Sequence, residues 1–356
     1  MNHQHTFFPR IVILVPLLLF VSCTSAIYKE MYPTLMDGRY DSEFPYQACS
    51  EQLEKIGQTV QRINTMTSYR TYVFPSDGGV TREQITPALL RAHEKNSFLT
   101  NGEIGGTATV VAYEERRIAL LTCAHVVDFP DTVITYYAGE DRKPSPYIKS
   151  IALKTNQAIF LTAFLQAGTM DILAMDRQQD IALIGAHLGE EPPIALSVFN
   201  YPVGRSRDLE WGTFVYLFGY PAGYKIVTKG IVSDPNRDRH GSFLVDAVLA
   251  GGASGGIVLA IRDGVPNFEL VGMISALSGH MWHALVPSPS IDHLNYSPND
   301  PYEGPIFVDR KRDVQYGIAQ AISIESVVSF VDRHRTALRQ RGYSLTSFGR
   351  VLKEPS

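Results

Sequence analysis

Short runs of β-branched and aromatic residues, each closed by turn residues, fill the middle of this sequence. They are Thr107–Tyr113, Ile118–Thr122, Ile181–Ile184, Thr213–Phe218, Ile226–Ser233, Leu244–Val248, Gly256–Ala260 and Leu270–Ile274. Each has the length and pattern of a strand, and so many short strands with few helices predict a mostly β fold of two six-stranded barrels. Asp263-Gly264 marks a hairpin turn between the last two runs. An amphipathic helix, Val327 to Leu338, closes the barrels, with Glu325 in its first turn and Gly342 as its stop. The chain is 45% hydrophobic and 19% charged with a net charge of −4, which suits a globular core. It lacks the clustered basic face of a nucleic-acid binder. The basic residues of the closing helix, Arg333, Arg335, Arg339 and Arg341, read as a solvated face that complements the helix dipole.

Three tracts carry chemistry. Gly251-Gly252-Ala253-Ser254-Gly255-Gly256 sets a serine among glycines. Without Cβ atoms the backbone N–H groups of such a turn can approach a substrate oxygen, as a nucleophile and its oxyanion hole require. Upstream, Leu120-Leu121-Thr122-Cys123-Ala124-His125 ends an apolar run in a histidine. Between them, Asp180 stands at the mouth of the run Ile181 to Ile184. Singly these read as a surface turn, a core histidine and a solvated strand end. Jointly they present His, Asp and Ser in the chain order of one serine-protease class.

The same tracts resemble the triad motifs of trypsin-like serine proteases, and more closely those of the HtrA/Deg branch. Gly105-Gly106-Thr107-Ala108-Thr109-Val110-Val111 is similar to that family's opening strand. So are Phe218 to Gly223 followed by Val227 to Ser233, Leu270 to Ser275, and Tyr316 to Ser323, in the family's order from about residue 100 to 335. The resemblance implies a chymotrypsin-like double six-stranded β-barrel and a serine endopeptidase acting on proteins or peptides without a cofactor. It implies catalysis by His125, Asp180 and Ser254, an oxyanion hole from the N–H groups of Gly252 and Ser254, and a substrate pocket lined by Val248, Ser275, Ala276 and Leu277. No acid stands among those pocket residues, so small to medium apolar residues are the expected preference. Ala253 departs from the family's Asn or Asp, and Ile257 from its Pro; no PDZ module is recognised after the closing helix. Ala253 leaves open a second reading, a latent or catalytically silent binding protein, chaperone-like, on the protease fold. An esterase is disfavoured because the usual esterase fold places Ser first.

The domain reading is a signal at 1–26, an N-terminal extension at 27–99, the protease domain at 100–342 and a tail at 343–356. Ile11 to Val21 is apolar but short for a membrane span. Phe20-Val21-Ser22-Cys23 resembles a lipobox in which Cys23 is acylated; cleavage after Thr24-Ser25-Ala26 is the alternative. Either implies export, the first to the cell envelope facing the periplasm or cell surface, the second as a secreted soluble protein. In the extension, Leu53, Ile56, Val60 and Ile63 recur at helical steps, which predicts a helix from Ser50 to Met66 with Ser50 as its cap. A short strand at Tyr69–Phe74 and a helix at Ile85–His93 follow. Cys123 reads as a free buried thiol rather than the partner of Cys49.

Residues Gly279 to Arg312, rich in Pro, Asp, Ser and His, read as a long loop inserted near the specificity pocket. His280, His283, Asp292, His293 and Asp300 have no zinc-like spacing, and no metal is assigned to them.

Overall fold

The computed structural model describes residues 36–345 and 348, apart from 46, 139–143, 164–167, 191–195 and 288–305; at 138, 144, 276–287 and 306–316 it describes the backbone alone. Two antiparallel sheets dominate. The first contains β1 (Val60–Val73), β2 (Ser97–Glu114), β3 (Arg117–Thr122), β4 (Thr132–Ala138), β5 (Pro144–Leu161), β6 (Asp171–Asp176) and β7 (Ile181–His187), in the order β4-β5-β1-β2-β3-β7-β6. The bridge from Phe160 to Thr169 and the bond from Met170 N–H to Ile159 O draw the ends of β5 and β6 together. Six strands therefore curl into a barrel-like sheet, and β4 lies outside along β5. The second sheet is a closed six-stranded barrel, β10-β13-β12-β11-β8-β9, of β8 (Phe214–Gly219), β9 (Ile226–Asp234), β10 (Phe243–Ala247), β11 (Ile257–Ile261), β12 (Phe268–Pro287) and β13 (Ile306–Ser323). This is the chymotrypsin-like double barrel, mostly β, with few helices.

Three sequence expectations need correction. The helix expected over Ser50–Met66 is only α1, Ser50–Gln58, and it starts from Cys49 without a side-chain cap. From Val60 the chain is β1, which pairs with β2 from Val60 to Tyr72 and with β5 from Ile63 to Val73. Thr65, Thr67, Tyr69 and Thr71 are buried while their neighbours are less so, a period of two set by these partners. Much of the segment read as an extension is thus a central strand of the first sheet. Finally, the stretch read as a loop from Gly279 is a ribbon: Gly279 pairs with Val314 and the ladder runs on to Pro287 and Ile306. His280 and His283 lie on β12, whereas Asp292, His293 and Asp300 fall outside the described residues, as do residues 1–35 with Cys23.

Other local readings agree with the structure. Thr86 caps α2 (Pro87–Ala92) by accepting from Leu89 N–H. Asp263 and Gly264 both have positive φ in the turn joining β11 to β12. The closing helix, α4 (Ile324–Gln340), begins where Ser323 Oγ accepts the Ser326 N–H and ends where Gly342 turns left-handed, with Tyr343 N–H reaching back to Leu338 O. Three of the arginines read as a solvated face are instead tied to the protein: Arg333 reaches Asp176 and Gln179, Arg335 reaches Asp332 and the carbonyl of Leu345, and Arg341 reaches the carbonyl of Leu173.

One apolar cluster joins the two sheets and α4: Ile63, Leu120 and Ile184 from the first sheet, Phe218, Leu259 and Phe268 from the second, and Val327, Phe330 and Val331 from the helix. At about 1.5–3 kcal/mol per buried large side chain, this shared core holds the sheets in one fixed relation. A second cluster, including Leu217, Phe243, Val258 and Ile274, fills the closed barrel. The segment before α1 is clipped to that barrel. Asp41 N–H donates to Ile261 O and Phe214 N–H to Asp41 O, both at 2.9 Å, and the Tyr40 hydroxyl donates to buried Glu269 at 2.6 Å.

Candidate active site

The site lies on the seam between the sheets. Strand β3 ends at Thr122, and one helical turn, α3 (Ala124–Val127), carries His125 to the surface. Thr122 pairs with Ala182 of β7, so Asp180, just before β7, faces that turn. The Asp180 carboxylate accepts His125 Nδ1 at 2.8 Å and the His125 backbone N–H at 2.9 Å. Asp180 has φ +57°, the left-handed region, which Asp tolerates better than most residues. A ring nitrogen bonded to this carboxylate leaves Nε2 free to exchange a proton with a substrate-side group.

Ser254 sits on the turn between β10 and β11 in the second barrel. The reciprocal bonds Gly255 N–H to Ile274 O and Ile274 N–H to Gly256 O, both 2.7 Å, seat that turn beside β12. Gly252 has φ +99°, and a Cβ there would stand 2.6 Å from the carbonyl of Tyr220. Among the described residues the backbone N–H groups of Gly252 and Ser254 donate to no protein group. Two unspent donors flanking a serine hydroxyl are the groups that an oxyanion site would use. Ser254 Oγ donates to the carbonyl of Ser275 at 2.9 Å, and among the described residues it makes no hydrogen bond to His125.

The residues expected to line a pocket are placed as follows. Val248 follows β10 and is 76% exposed. Ser275 donates its hydroxyl to Asp180 Oδ2, at 2.7 Å. Ala276 and Leu277 continue β12 opposite Gln320 and Ala319 of β13, with only their backbone described. Ser275 thus has a function that sequence reasoning missed; its place two residues past Met273, which pairs with Ile257 just beyond Ser254, is the signal that could have found it.

Burial alone would raise the Asp180 carboxyl. The hydrogen bonds from His125 Nδ1, the Ser275 hydroxyl and the His125 N–H outweigh it and hold the group below its ordinary value, so it stays ionised. Burial, reinforced by the Asp180 charge, pushes the Cys123 thiol well up. Its Sγ donates to Ile274 O at 3.2 Å, while Cys49 lies apart beside Tyr216. Both are free thiols. Cys123, His125 and Asp180 bring potential metal-ligating atoms within 4.8 Å of one another, but the hydrogen bonds just described already engage all three.

Residues 106–273 match the family model of the trypsin-like peptidase domain, and the chain is a serine endopeptidase carrying that domain. No curated protein matches the chain. Among solved structures, the HtrA-type protease AlgW with a decapeptide is similar at 16% identity and a TM-score of 0.44, over 84% of this chain and 68% of that one. The serine endoprotease from Yersinia pestis is similar at 16% identity and a TM-score of 0.38, over 82% and 67%. Deg5 is similar at 16% identity and a TM-score of 0.34, over 64% and 85%. Among the described residues no helix is long and apolar enough to cross a membrane.

Proposed function

We propose that the chain hydrolyses peptide bonds through Ser254, His125 and Asp180. The observation that carries this reading is the Asp180–His125 pair at 2.8 Å set beside a serine turn with two unspent N–H donors. Ser254 Oγ attacks the scissile carbonyl carbon, and its proton passes to His125 Nε2. Asp180, already ionised, stabilises the imidazolium and keeps its ring in place. The N–H groups of Gly252 and Ser254 receive the oxyanion, His125 returns the proton to the leaving amine, and water repeats the sequence on the acyl-enzyme. For attack the Ser254 hydroxyl must leave the Ser275 carbonyl. A latent enzyme in which it remains there is the second reading, favoured by that hydrogen bond.

Fluorophosphonate labelling of the folded protein beside Ser254→Ala tests this. Labelling that vanishes in the variant supports an activated Ser254. A folded protein that never labels, even with unfolded protein or membranes present, excludes hydrolysis by this serine. The absence of an acid among the pocket residues supports cleavage after small to medium apolar residues; a cleavage profile on a denatured proteome dominated by Lys or Arg sinks that preference.

The apolar run Ile11–Val21 and the Cys23 motif support export and a lipid anchor at the cell envelope. The resemblance to the HtrA/Deg branch supports unfolded envelope proteins as substrates, in protein quality control. Mass spectrometry of the mature N-terminus tests the anchor: an acylated Cys23 supports it, and a terminus at Ile27 replaces it with secretion of a soluble protein.

A further inference from the structure

The unspent Gly252 N–H is useful only if its peptide is held in one orientation. The peptide from Gly251 to Gly252 is anchored by Ala222 N–H, which donates to Gly251 O at 2.7 Å. In a trans peptide the carbonyl and the following N–H point in opposite directions, so this bond aims the Gly252 N–H outward. The next carbonyl, Gly252 O, accepts the Thr107 hydroxyl at 2.7 Å, and Ser254 O accepts the Thr107 N–H at 2.9 Å. The Thr107 hydroxyl also accepts Tyr220 N–H, at 2.9 Å, from the segment that supplies Ala222. Its own carbonyl is fixed by the Thr122 hydroxyl at 2.7 Å. One fully buried side chain of β2 therefore ties together the serine turn and the strut that orients it.

Within the turn, Gly256 N–H holds Ala253 O at 2.9 Å, but no side chain of the turn duplicates the tie at Gly252 O. Ala253 turns a methyl group into the apolar interior of the closed barrel. Among the described residues Thr107 is the one side chain that hydrogen-bonds a backbone group between Gly251 and Ser254. We propose that Thr107 is the positioning residue of the oxyanion site, holding the Gly252 and Ser254 donors in their binding orientation before substrate arrives. This rests on the reading of Ser254 as the nucleophile. Without the hydroxyl, Gly252 O and Tyr220 N–H both lose their partner, and each peptide is free to turn toward another.

The test compares Thr107→Val, Thr107→Ala and Thr107→Ser in the purified full chain. Measurements are fluorophosphonate labelling rate, peptide hydrolysis and affinity for a peptide boronic acid, whose tetrahedral adduct occupies the oxyanion site. Removing an oxyanion donor outright costs about 10²–10³ in rate, so its misorientation is expected to lower kcat by roughly 10–100-fold with KM nearly unchanged. Boronate affinity should fall in parallel, and Thr107→Ser should recover to within about threefold, since it keeps the hydroxyl. A purely structural role would lower the melting temperature of the variants without this shared loss or its rescue by Ser. If Thr107→Val does not fold, the Ala and Ser variants carry the comparison. Folded Thr107→Ala that labels and turns over at the parent rate overturns the proposal while leaving Ser254 as nucleophile. A parent chain that never labels removes both.

Discussion

The Ser275 hydroxyl donates to Asp180 Oδ2 at 2.7 Å, the same oxygen that accepts His125 Nδ1 at 2.8 Å. The bond crosses from the second barrel to the first, so the carboxylate that orients the imidazole is itself oriented by the sheet carrying the nucleophile. Ser275→Ala is expected to lower kcat/KM about tenfold, or ~1.4 kcal/mol of transition-state stabilisation. The Asp180 carboxyl is depressed in the folded state, so the stability it contributes is present above its ordinary value and lost as pH falls through its folded value. Losing one donor moves that folded value up. The stability deficit of Ser275→Ala should therefore be full at pH 7 and shrink in acid, as thermal unfolding across pH will show.

Asp180→Asn keeps a side chain that tolerates the left-handed backbone but removes the charge beside His125. A loss of about four orders of magnitude in kcat is expected, with a thermal midpoint lowered at pH 7 by the lost carboxylate and less so in acid. Asp180→Val should lose the same activity and also unfold earlier, because a β-branched residue is strained at φ +57°. A loss of less than tenfold in the Asn variant would deny Asp180 its role.

Gly255 has φ +87°, and a Cβ there would lie 2.0 Å from Thr107 O and 2.5 Å from Thr122 Oγ1. Neither atom is the free end of a flexible chain. Gly255→Ala is therefore expected to abolish labelling of Ser254 and to destabilise the fold by more than about 2 kcal/mol, from the strained φ and the displaced backbone together. Denaturant unfolding and fluorophosphonate labelling read the two effects separately.

Burial pushes the Asp41 carboxyl up to about 6, despite the hydrogen bond from Gly264 N–H, and the charges of Glu43, Asp263 and Asp37 add to the rise. A group raised above its unfolded value binds more protons when folded, so it lowers stability as pH rises from about 4 to 6. Asp41→Asn keeps an acceptor for Gly264 without the charge. A gain of about 1 kcal/mol, or roughly 2–4 °C in Tm, is expected at pH 7 and should vanish near pH 4. An equal effect at both values would show that the charge of Asp41 is not its cause.

Local pattern went far in this chain. Glycine at 252 and 255, where φ is positive, and the short runs around β3, β7, β8 and β11 needed no partner to be recognised. The order His125, Asp180, Ser254 could be read because each stands in a turn next to a strand, where a side chain can leave the sheet. Strand β1 could not. Its inward positions include Thr65, Thr67 and Thr71, whose hydroxyl groups hide a period of two from any count of apolar residues, while Leu53, Ile56, Val60 and Ile63 happen to fall at helical steps. Pairing with β2 and β5 decided the outcome. The ribbon from Gly279 was equally illegible, since its strands are specified by one another and not by local hydrophobicity.

By itself the sequence determined the strands whose apolar runs carry their own buried face, and it set His125, Asp180 and Ser254 in the chain order expected of a triad. Those properties depend on neighbours a few residues away. Only the tertiary structure decided that the Ser275 hydroxyl serves Asp180 and that Thr107 clasps the serine turn. The two donors sit on opposite sheets from the groups they hold, and the cross-sheet core, not local propensity, sets those distances.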